Sequence, residues 1–459
     1  LQLAPGDRWQ LEEFLCQAGP KRETLLNDLG ARIGKTTNRR NRFPQHPIGW
    51  CSWYCFGPQV TEADIRRNLD WIATNAPQLR YIQIDDGYQP WMGDWLETGK
   101  SFGGDIKPVL REIRERGFEP AIWVAPFIAS PQSKLFHDHP DWFVMDAKGQ
   151  PLRSDKVGFG GWRQGPWYAL DGTNPHAQKF LEHLFRTMRE KWGCTYFKLD
   201  ANYWGALSHG HFHDPRATRI EAYRRGMEAI LRGAGDAFIL GCNQPMWPSL
   251  GLLDGTRSSN DIKRDWSAIR DIGRQNLLRG WENGRLWWND PDCALLSPGR
   301  VINSSGQLVD GFDVNAKGLP LNEVIFHATT VHASGGAMFS SDDLPTLSPE
   351  RVAMLRKLIP PTGRAASFAD ETLIVGRTPT GTGEFLYLFN WGDTPVERVV
   401  TLPHNVELTN YWTGESLGQH EREYRVPSLP PHTALLLQTT RQPETSKVTI
   451  LKSGHLSGR

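Results

Sequence analysis

Short apolar runs rich in β-branched and aromatic residues alternate along most of the chain with longer amphipathic stretches. Parallel strands joined by helical crossovers produce such an alternation. The stretch "QPMWPSLGLLD", between the fifth and sixth runs, is too short for a full helix, whereas the other crossovers have helical spacing. The pattern predicts an α/β domain with eight strands, at 48–53, 80–86, 119–126, 195–200, 238–243, 255–261, 286–290 and 336–343.

Eight parallel strands with crossovers most simply close into a (β/α)8 TIM barrel. A doubly wound open sheet is the structural alternative, but no Gly-rich dinucleotide fingerprint opens the first helical stretch. After "PPTGRAA" the texture changes to alternating strand patterns such as "EFLYLFN" and "VERVVTL". This change predicts a small C-terminal antiparallel β-sandwich.

The changes of texture divide the chain into four segments. We expect an N-terminal segment at 1–47, a barrel at 48–360, a β-sandwich at 365–440 and a polar tail at 441–459. The first segment contains a helical pattern, "RETLLNDLGARI", but no complete domain. The tail has little core material, so we predict that it is disordered or loosely attached.

Composition limits the partners and the compartment. The chain has 52 Lys and Arg against 51 Asp and Glu, a net charge of +1, so no global field favours nucleic acid or an anionic membrane. No apolar run approaches the ~20 residues of a membrane helix, and the first residues lack a signal's apolar core. The six cysteines lack metal-site spacing and are interpreted as mostly reduced and buried, which predicts a cytoplasmic protein. The 19 tryptophans offer flat apolar faces of the kind that stack on sugar rings.

Polar and aromatic side chains collect where the predicted strands end. In a barrel the carboxyl ends of the strands carry the variable loops and the chemistry. Because desolvating a charge costs free energy, repeated charges at one rim indicate a functional site. The rim residues, strand by strand, are Trp50 and Trp53, Asp85 and Asp86, Lys198 and Asp200, Arg257 and Asp261, and Asp290 and Asp292.

Each of these residues also has a structural interpretation. A single Asp after a strand commonly serves a turn or caps a helix. Trp50 and Trp53 could be core residues, and Lys198 could simply pair with Asp200, which lies two residues away on the same strand face. The alternate histidines of "HGHFH", 209–213, could bind a metal, but they form no known closed site, and a solvated loop is the favoured interpretation. We therefore predict no metal and no cofactor.

A pair of inward carboxylates beside cations fits glycoside hydrolysis. In that reaction one carboxylate attacks or activates water and the other donates a proton. Metal-assisted hydrolysis is the second possibility, but it needs a set of His and carboxylate ligands that this rim does not supply.

Ten short motifs follow one another between Ile48 and Leu344. They are "PIGWCSWY", "IQIDDGY", "GDWL", "IWVAPF", "HPDW", "YFKLD", "FILGCN", "DGTRSSND", "WWNDPD" and "SSDDL". In this order they resemble glycoside hydrolase family 36, the bacterial α-galactosidases and their relatives. The resemblance implies a retaining α-galactosidase that acts on oligosaccharides by double displacement. We also expect a homo-oligomer. Members of that family usually carry a large N-terminal β-sandwich, and residues 1–47 look like its trailing end.

The resemblance also implies catalytic roles. Asp200, in the Lys-x-Asp motif, would be the nucleophile, and Asp261, which closes "RSSND", would be the acid and base. Lys198 would favour the ionised form of Asp200, whereas the acid would keep its proton through burial or a neighbouring negative charge. Asp292 is a reserve candidate for the acid.

The remaining roles concern the sugar. Asp85 and Asp86 would accept hydrogen bonds from the galactose 4- and 6-hydroxyls, Lys198 and Arg257 would bind hydroxyls, and Trp50 or Trp53 would form an aromatic wall. An α-N-acetylgalactosaminidase and a galactosyl transferase of the raffinose-synthase type stay open as alternatives. A non-catalytic sugar-binding protein is a further alternative, although it would not need two catalytic carboxylates.

Overall fold

The computed structural model describes residues 5–6, 8, 13–37, 42–297, 301–302, 308–309 and 319–441. The predicted polar tail lies outside these residues from position 442 onward. The described helices are α1 (Arg22–Thr36), α2 (Trp53–Phe56), α3 (Glu62–Asn75), α4 (Lys107–Glu115), α5 (Lys134–Asp138), α6 (Pro175–Glu190), α7 (Arg219–Ala234), α8 (Trp266–Leu278), α9 (Leu321–Ser334) and α10 (Pro349–Lys357). The described strands are β1 (Ile48–Cys51), β2 (Tyr81–Ile84), β3 (Glu119–Val124), β4 (Ile128–Ala129), β5 (Tyr168–Ala169), β6 (Tyr196–Leu199), β7 (Phe238–Gly241), β8 (Gly255–Arg257), β9 (Trp288–Asp290), β10 (Val301–Ile302), β11 (Leu308–Val309), β12 (Met338–Ser340), β13 (Ser367–Phe368), β14 (Val375–Pro379), β15 (Glu384–Asn390), β16 (Val396–Thr401), β17 (Val406–Asn410), β18 (Ser416–His420), β19 (Glu423–Leu429) and β20 (Thr433–Arg441).

Eight parallel strands form a nearly closed barrel in the order β12, β1, β2, β3, β6, β7, β8, β9. The first and last strands of this order approach each other through backbone hydrogen bonds. Ala337 N–H donates to Asn289 O at 2.7 Å, and Ala294 N–H donates to Phe339 O at 2.7 Å. The predicted (β/α)8 barrel is confirmed, and each of the eight predicted runs contains one of these strands. The open-sheet alternative is wrong.

Local signals in the sequence account for several element boundaries. Thr61 caps α3 and accepts a hydrogen bond from the backbone of Asp64, whose side chain accepts one from Thr61 N–H at 3.0 Å in return. Strands β6 and β7 are buried along their whole length, because helices cover the outside of the barrel and side chains fill its interior. The short crossover after β7 contains only the 3-10 turn Trp247–Ser249, as its length predicted.

The strands of the C-terminal part are antiparallel. This arrangement confirms the fold class that was predicted for the C-terminal domain. Six strands pair in the order β13, β14, β15, β20, β17, β18, and β16 pairs with β19. His332 Nδ1 of α9 lies 2.9 Å from the hydroxyl of Tyr387, and Trp412 Nε1–H donates to Thr329 Oγ1 at 2.9 Å, so α9 joins the sheet to the barrel. The sheet has its own apolar cluster, formed by Leu386, Leu388, Val400, Leu402, Val406, Leu408, Leu429 and Leu437.

The cysteines and the helices bear on the predictions about the compartment and about membrane association. All six cysteines are free thiols, and five of them are buried, whereas Cys16 is exposed. In the described part of the chain, we find no helix with the length and apolar character needed to cross a bilayer.

Candidate active site

A cavity of about 460 Å³ lies at the carboxyl ends of the barrel strands. Six of the eight residues predicted for the site contribute to its walls, and Trp50 and Arg257 do not. The lining residues are Trp53, Tyr54, Asp85, Asp86, Trp123, Trp162, Lys198, Asp200, Cys242, Asn243, Ser259, Asn260, Asp261, Ile262 and Lys263.

One wall of the cavity contains a buried ion pair. Lys198 Nζ lies 2.9 Å from Asp85 Oδ2, and Gln83 Nε2 donates to the same oxygen at 2.6 Å. Burial lowers the pKa of Lys198, but the Asp85 carboxylate together with Cys51 and Cys242 outweighs burial, and the pKa is raised well above its usual value. Lys198 is therefore a cation whose direct partner is Asp85, not Asp200.

The neighbouring Asp86 is held by an arginine that the sequence analysis did not select. Arg163 binds Asp86 with two guanidinium nitrogens: Nε donates to Oδ2 at 2.8 Å, and Nη2 contacts Oδ1. Gln89 Nε2 also donates to Oδ1, at 2.7 Å. Such a bidentate contact fixes the plane of the carboxylate. Because Oδ2 accepts just one of these hydrogen bonds and a carboxylate oxygen can accept two, Asp86 can still accept one from a bound hydroxyl.

Asp200 follows β6 directly and lines the cavity. Ala201 N–H donates to its Oδ1 at 2.6 Å, and Trp123 Nε1–H donates to its Oδ2 at 3.2 Å. Burial raises the pKa of Asp200, and the Asp261 carboxylate adds to that, whereas Lys198 and the two hydrogen bonds lower it. The net direction of the pKa shift is upward, so Lys198 favours the ionised form of Asp200, as predicted, but offsets the effect of burial only in part.

Asp261 stands in a different environment, at the mouth of the cavity. Its side chain is 63% exposed, and Arg257 Nη1 donates to its Oδ1 at 2.8 Å. Of the two ways in which the acid was predicted to keep its proton, burial is not observed, because Asp261 projects from an open loop after β8. Arg257 is 4% exposed and lies beneath this loop, where it holds Asp261 instead of lining the cavity.

The reserve candidate, Asp292, is fully buried and does not reach the cavity. Its Oδ1 lies 3.0 Å from Arg257 Nη2, and its Oδ2 accepts hydrogen bonds from Ile262 N–H at 2.8 Å and from the Tyr54 hydroxyl. Burial raises the pKa of Asp292 to about 6. With its oxygens occupied in this way, Asp292 supports Arg257 and cannot approach a ligand.

The aromatic wall is formed mainly by residues that the sequence analysis missed. Trp50 has no exposed surface, and its Nε1–H donates to Asp342 O at 2.8 Å, so it is a core residue as its alternative interpretation held. Trp53 lines the cavity, together with Trp123 and Trp162. Trp123 was missed because it lies within the apolar run that forms β3. Trp162 lies in the long segment between β4 and β5. The segment "GWRQGPW", with an arginine between tryptophans, was the available signal.

The histidine-rich run at 209–213 takes no part in the cavity. The backbone of His211 pairs with Met145, with N–H to O distances of 3.0 and 2.8 Å. Over the described ranges, no cluster of three His, Cys, Asp or Glu side chains could hold a metal ion.

Comparison with known proteins bears on this site directly, because residues 82–227 match the Melibiase family model. This barrel is Melibiase-like. The matched stretch contains β2, β3 and β6 and hence four of the predicted site residues, Asp85, Asp86, Lys198 and Asp200.

Individual proteins that are similar to this chain add to the match with the family model. The chain is 31% identical over 211 residues to the A type blood α-D-galactosamine galactosaminidase of Flavonifractor plautii, a match of 43% of this chain and 19% of that protein. An α-galactosidase from Thermus thermophilus, solved with p-nitrophenyl α-D-galactopyranoside, is 30% identical with a TM-score of 0.59, over 72% of this chain and 65% of that one. The chain thus covers less than two thirds of both relatives.

A third relative concerns the family number. A β-L-arabinopyranosidase of glycoside hydrolase family 27 from Geobacillus stearothermophilus has a TM-score of 0.67 at 17% identity, over 91% of this chain and 99% of that one. At this identity the likeness is one of fold. The comparisons therefore support the Melibiase-like assignment, and the narrower prediction of family 36 stays a prediction.

Proposed function

We propose that the chain is a retaining α-galactosidase that hydrolyses terminal α-linked galactose by double displacement. The observation that carries the proposal is the shared cavity of Asp200 and Asp261, whose other polar lining includes Asp85, Asp86 and Lys198. Two carboxyl groups in unlike surroundings are what such a reaction requires. The named substrate of the Thermus relative supports the choice of galactose.

In the first step Asp200 attacks the anomeric carbon while the bond to the leaving oxygen breaks, and Asp261 protonates that oxygen. In the second step Asp261 takes a proton from water, which attacks the glycosyl–Asp200 ester and releases galactose with its configuration retained. Retention requires carboxyl groups about 5–5.5 Å apart. The hydrogen bonds from Ala201 and Trp123 orient Asp200 for the attack.

The buried cations and carboxylates would recognise the sugar. Lys198 uses one N–H on Asp85 and has further donors for a hydroxyl. Asp85 and Asp86 would accept from hydroxyls, while Arg163 holds Asp86 in place. A bound saccharide would also cover the exposed Asp261 and remove water from around it.

Substitution of the two carboxylates tests the proposal. We expect Asp200→Asn to abolish hydrolysis of p-nitrophenyl α-galactoside, because an amide cannot form the ester. Asp261→Asn should lose about 10²–10⁴-fold on substrates with poor leaving groups and much less on the nitrophenyl substrate, which needs little protonation. Asp236→Asn, at an exposed carboxylate outside the cavity, is the control and should keep full activity. Full activity in Asp200→Asn would refute the nucleophile.

A second candidate is hydrolysis of an α-galactosaminide, which the name of the Flavonifractor relative favours. That substrate differs from galactose at carbon 2. Comparison of kcat/KM for the nitrophenyl α-glycosides of galactose, galactosamine and N-acetylgalactosamine distinguishes these functions. We expect the galactoside to be the best of the three.

We also propose a cytoplasmic location, which the free cysteines support, since disulfides are rare in that compartment. A homo-oligomer and the domain limits 48–360 and 365–440 are further proposals. Light scattering measures the first, and limited proteolysis measures the second.

A further inference from the structure

Exposed aromatic side chains concentrate at the carboxyl end of the barrel. Among the described residues, the exposed large aromatics are Phe14, Trp91, Phe159, Tyr203 and Trp247. All but Phe14 lie in segments that follow four consecutive strands of the barrel, β2, β3, β6 and β7. Exposed apolar surface collected in one place commonly marks a binding site.

Two of these rings are connected to the cavity wall by a chain of aromatic contacts. Phe159 and Tyr203 both contact the buried Trp204, with ring centroids 6.4 and 6.2 Å away. Trp204 packs on Trp167 at 5.2 Å, and Trp167 packs on Trp162 at 4.4 Å. Trp162 lines the cavity, so the buried Trp204 and Trp167 connect the exposed pair to the cavity wall.

The backbone holds Tyr203 in this place. Ala201 and Asn243 both have a φ of 51°, in the left-handed region that side-chain-bearing residues rarely adopt. Tyr203 N–H donates to Asn243 O at 2.8 Å, which ties the two strained turns together. A left-handed conformation is unfavourable for residues with a side chain, so the fold holds Tyr203 in place despite local backbone strain.

The depth of the two carboxylates indicates which part of a substrate would meet these rings. Asp200 follows β6 directly and accepts a hydrogen bond from the cavity-lining Trp123, whereas the side chain of Asp261 is 63% exposed at the mouth. The acid must contact the leaving oxygen, so the bond to be cleaved runs from Asp200 toward the mouth. The galactose then occupies the cavity, and the next sugar lies outside it.

We propose that Tyr203 and Phe159 form a platform that binds the sugar on the leaving side of the cleaved bond. This inference rests on the proposed function and assigns the substrate class, a neutral α-galactosyl oligosaccharide. The apolar C–H face of the second sugar would lie on one or both rings, as flat aromatic faces allow. Neither residue would contact the galactose or take part in bond cleavage.

Two substrates that share galactose but differ in the leaving group test the platform. Raffinose carries a sugar on the leaving side, whereas α-galactosyl fluoride carries none. We expect Tyr203→Ala and Phe159→Ala each to lower kcat/KM for raffinose about threefold to tenfold, the range of one aromatic contact. For the fluoride, kcat/KM should stay within about twofold of the unsubstituted protein.

Two further variants serve as controls. Tyr203→Phe retains the ring and should retain most of the raffinose activity. Trp247→Ala removes an aromatic that is 55% exposed on the same end of the barrel but makes no ring contact with the platform in the described structure. It should leave the ratio of raffinose to fluoride activity unchanged.

Each other outcome is decisive. Equal losses on both substrates would assign Tyr203 and Phe159 to the support of Asp200 and overturn the platform while leaving the proposed function intact. Unchanged raffinose activity in both alanine variants would also overturn it. If the unsubstituted protein cleaves neither substrate, the proposed function itself fails, and the platform fails with it.

Discussion

The rim and the base of the barrel both bury carboxyl groups but treat them differently. At the rim, the carboxylates are close to cations: Asp85 lies 2.9 Å from Lys198, and Asp292 lies 3.0 Å from Arg257. Removal of two charges from water is offset there by direct pairing and additional hydrogen bonds. The folded protein therefore stabilises buried charged side chains at the rim.

At the base of the barrel, the buried acids Asp254 and Glu282 have other contacts. Asp254, just before β8, has Arg42 at 3.6 Å and accepts a hydrogen bond from Ile239 N–H at 2.9 Å. Glu282 accepts one from Trp287 Nε1–H at 3.3 Å. Burial raises the pKa of Asp254 and of Glu282 to about 7. The comparison teaches that burial alone does not identify a catalytic carboxyl group, since the buried acids at the base also have raised pKa values but do not line the cavity.

Removal of Arg257 should produce the largest effect on stability. In Arg257→Met, the buried Asp290 and Asp292 lose their shared cation, and we expect a loss of about 3–5 kcal/mol in the free energy of unfolding. Urea denaturation at pH 7 measures it. Arg66→Met is the control, because Arg66 pairs with Glu62 and Glu112 at the surface, and exposed pairs contribute about 0–1 kcal/mol. Equal losses in the two variants would contradict the account of the rim.

The base should respond to pH in the opposite sense from a salt-bridged acid. The folded-state pKa of Asp254, about 7, exceeds the unfolded value, so the folded state keeps a proton that the unfolded chain releases. Stability is therefore lost as pH rises from about 4 to about 7. Asp254→Asn stays neutral, and we expect it to gain on the order of 2 kcal/mol over the unsubstituted protein between pH 5 and pH 8.

Urea denaturation at both pH values measures the difference. Asp236→Asn, at a carboxylate whose side chain is largely exposed, should show no such gain. If Asp254→Asn follows the unsubstituted protein at both pH values, Asp254 is not a buried neutral acid.

The smallest effect concerns the hydrogen bond from Trp123 to Asp200. In Trp123→Phe this donor is lost, so the pKa of Asp200 should rise further, and the acid limb of kcat/KM should move to higher pH. On that limb we expect about a threefold loss relative to the plateau. Trp162→Phe is the control, because Trp162 lines the same cavity and its indole N–H has no partner among the described residues. If the acid limb moves equally in both variants, the hydrogen bond from Trp123 does not control the pKa of Asp200.

The sequence predicted the barrel well because its signals are local. Each strand is a short apolar run. A residue that follows a strand, such as Asp86 or Asp200, lies at the rim even where the predicted start of that strand is inaccurate. Asp261 was placed at the cavity by the same logic. The order of the strands follows from the parallel crossovers.

What the sequence could not predict depends on distant contacts. Arg163 binds Asp86 from a segment 77 residues away, and no periodicity sets the path of that segment. From the sequence, Trp50 and Trp53 were equally good candidates for the aromatic wall. In the structure Trp50 lies within β1 and donates a hydrogen bond to Asp342, whereas Trp53 begins α2 at the cavity. The partner of Lys198 was likewise expected two residues away, whereas it lies on β2's end at Asp85.

The central claim, that Asp200 is the nucleophile of a retaining glycosidase, is tested most directly by trapping the intermediate. The protein is treated with 2-deoxy-2-fluoro-α-galactosyl fluoride, which slows hydrolysis of the ester, then digested, and the peptides are identified by mass spectrometry. We expect one fluorogalactosyl group per chain, attached to Asp200. A label on another residue, or galactose released with inverted configuration and no label, would contradict the account.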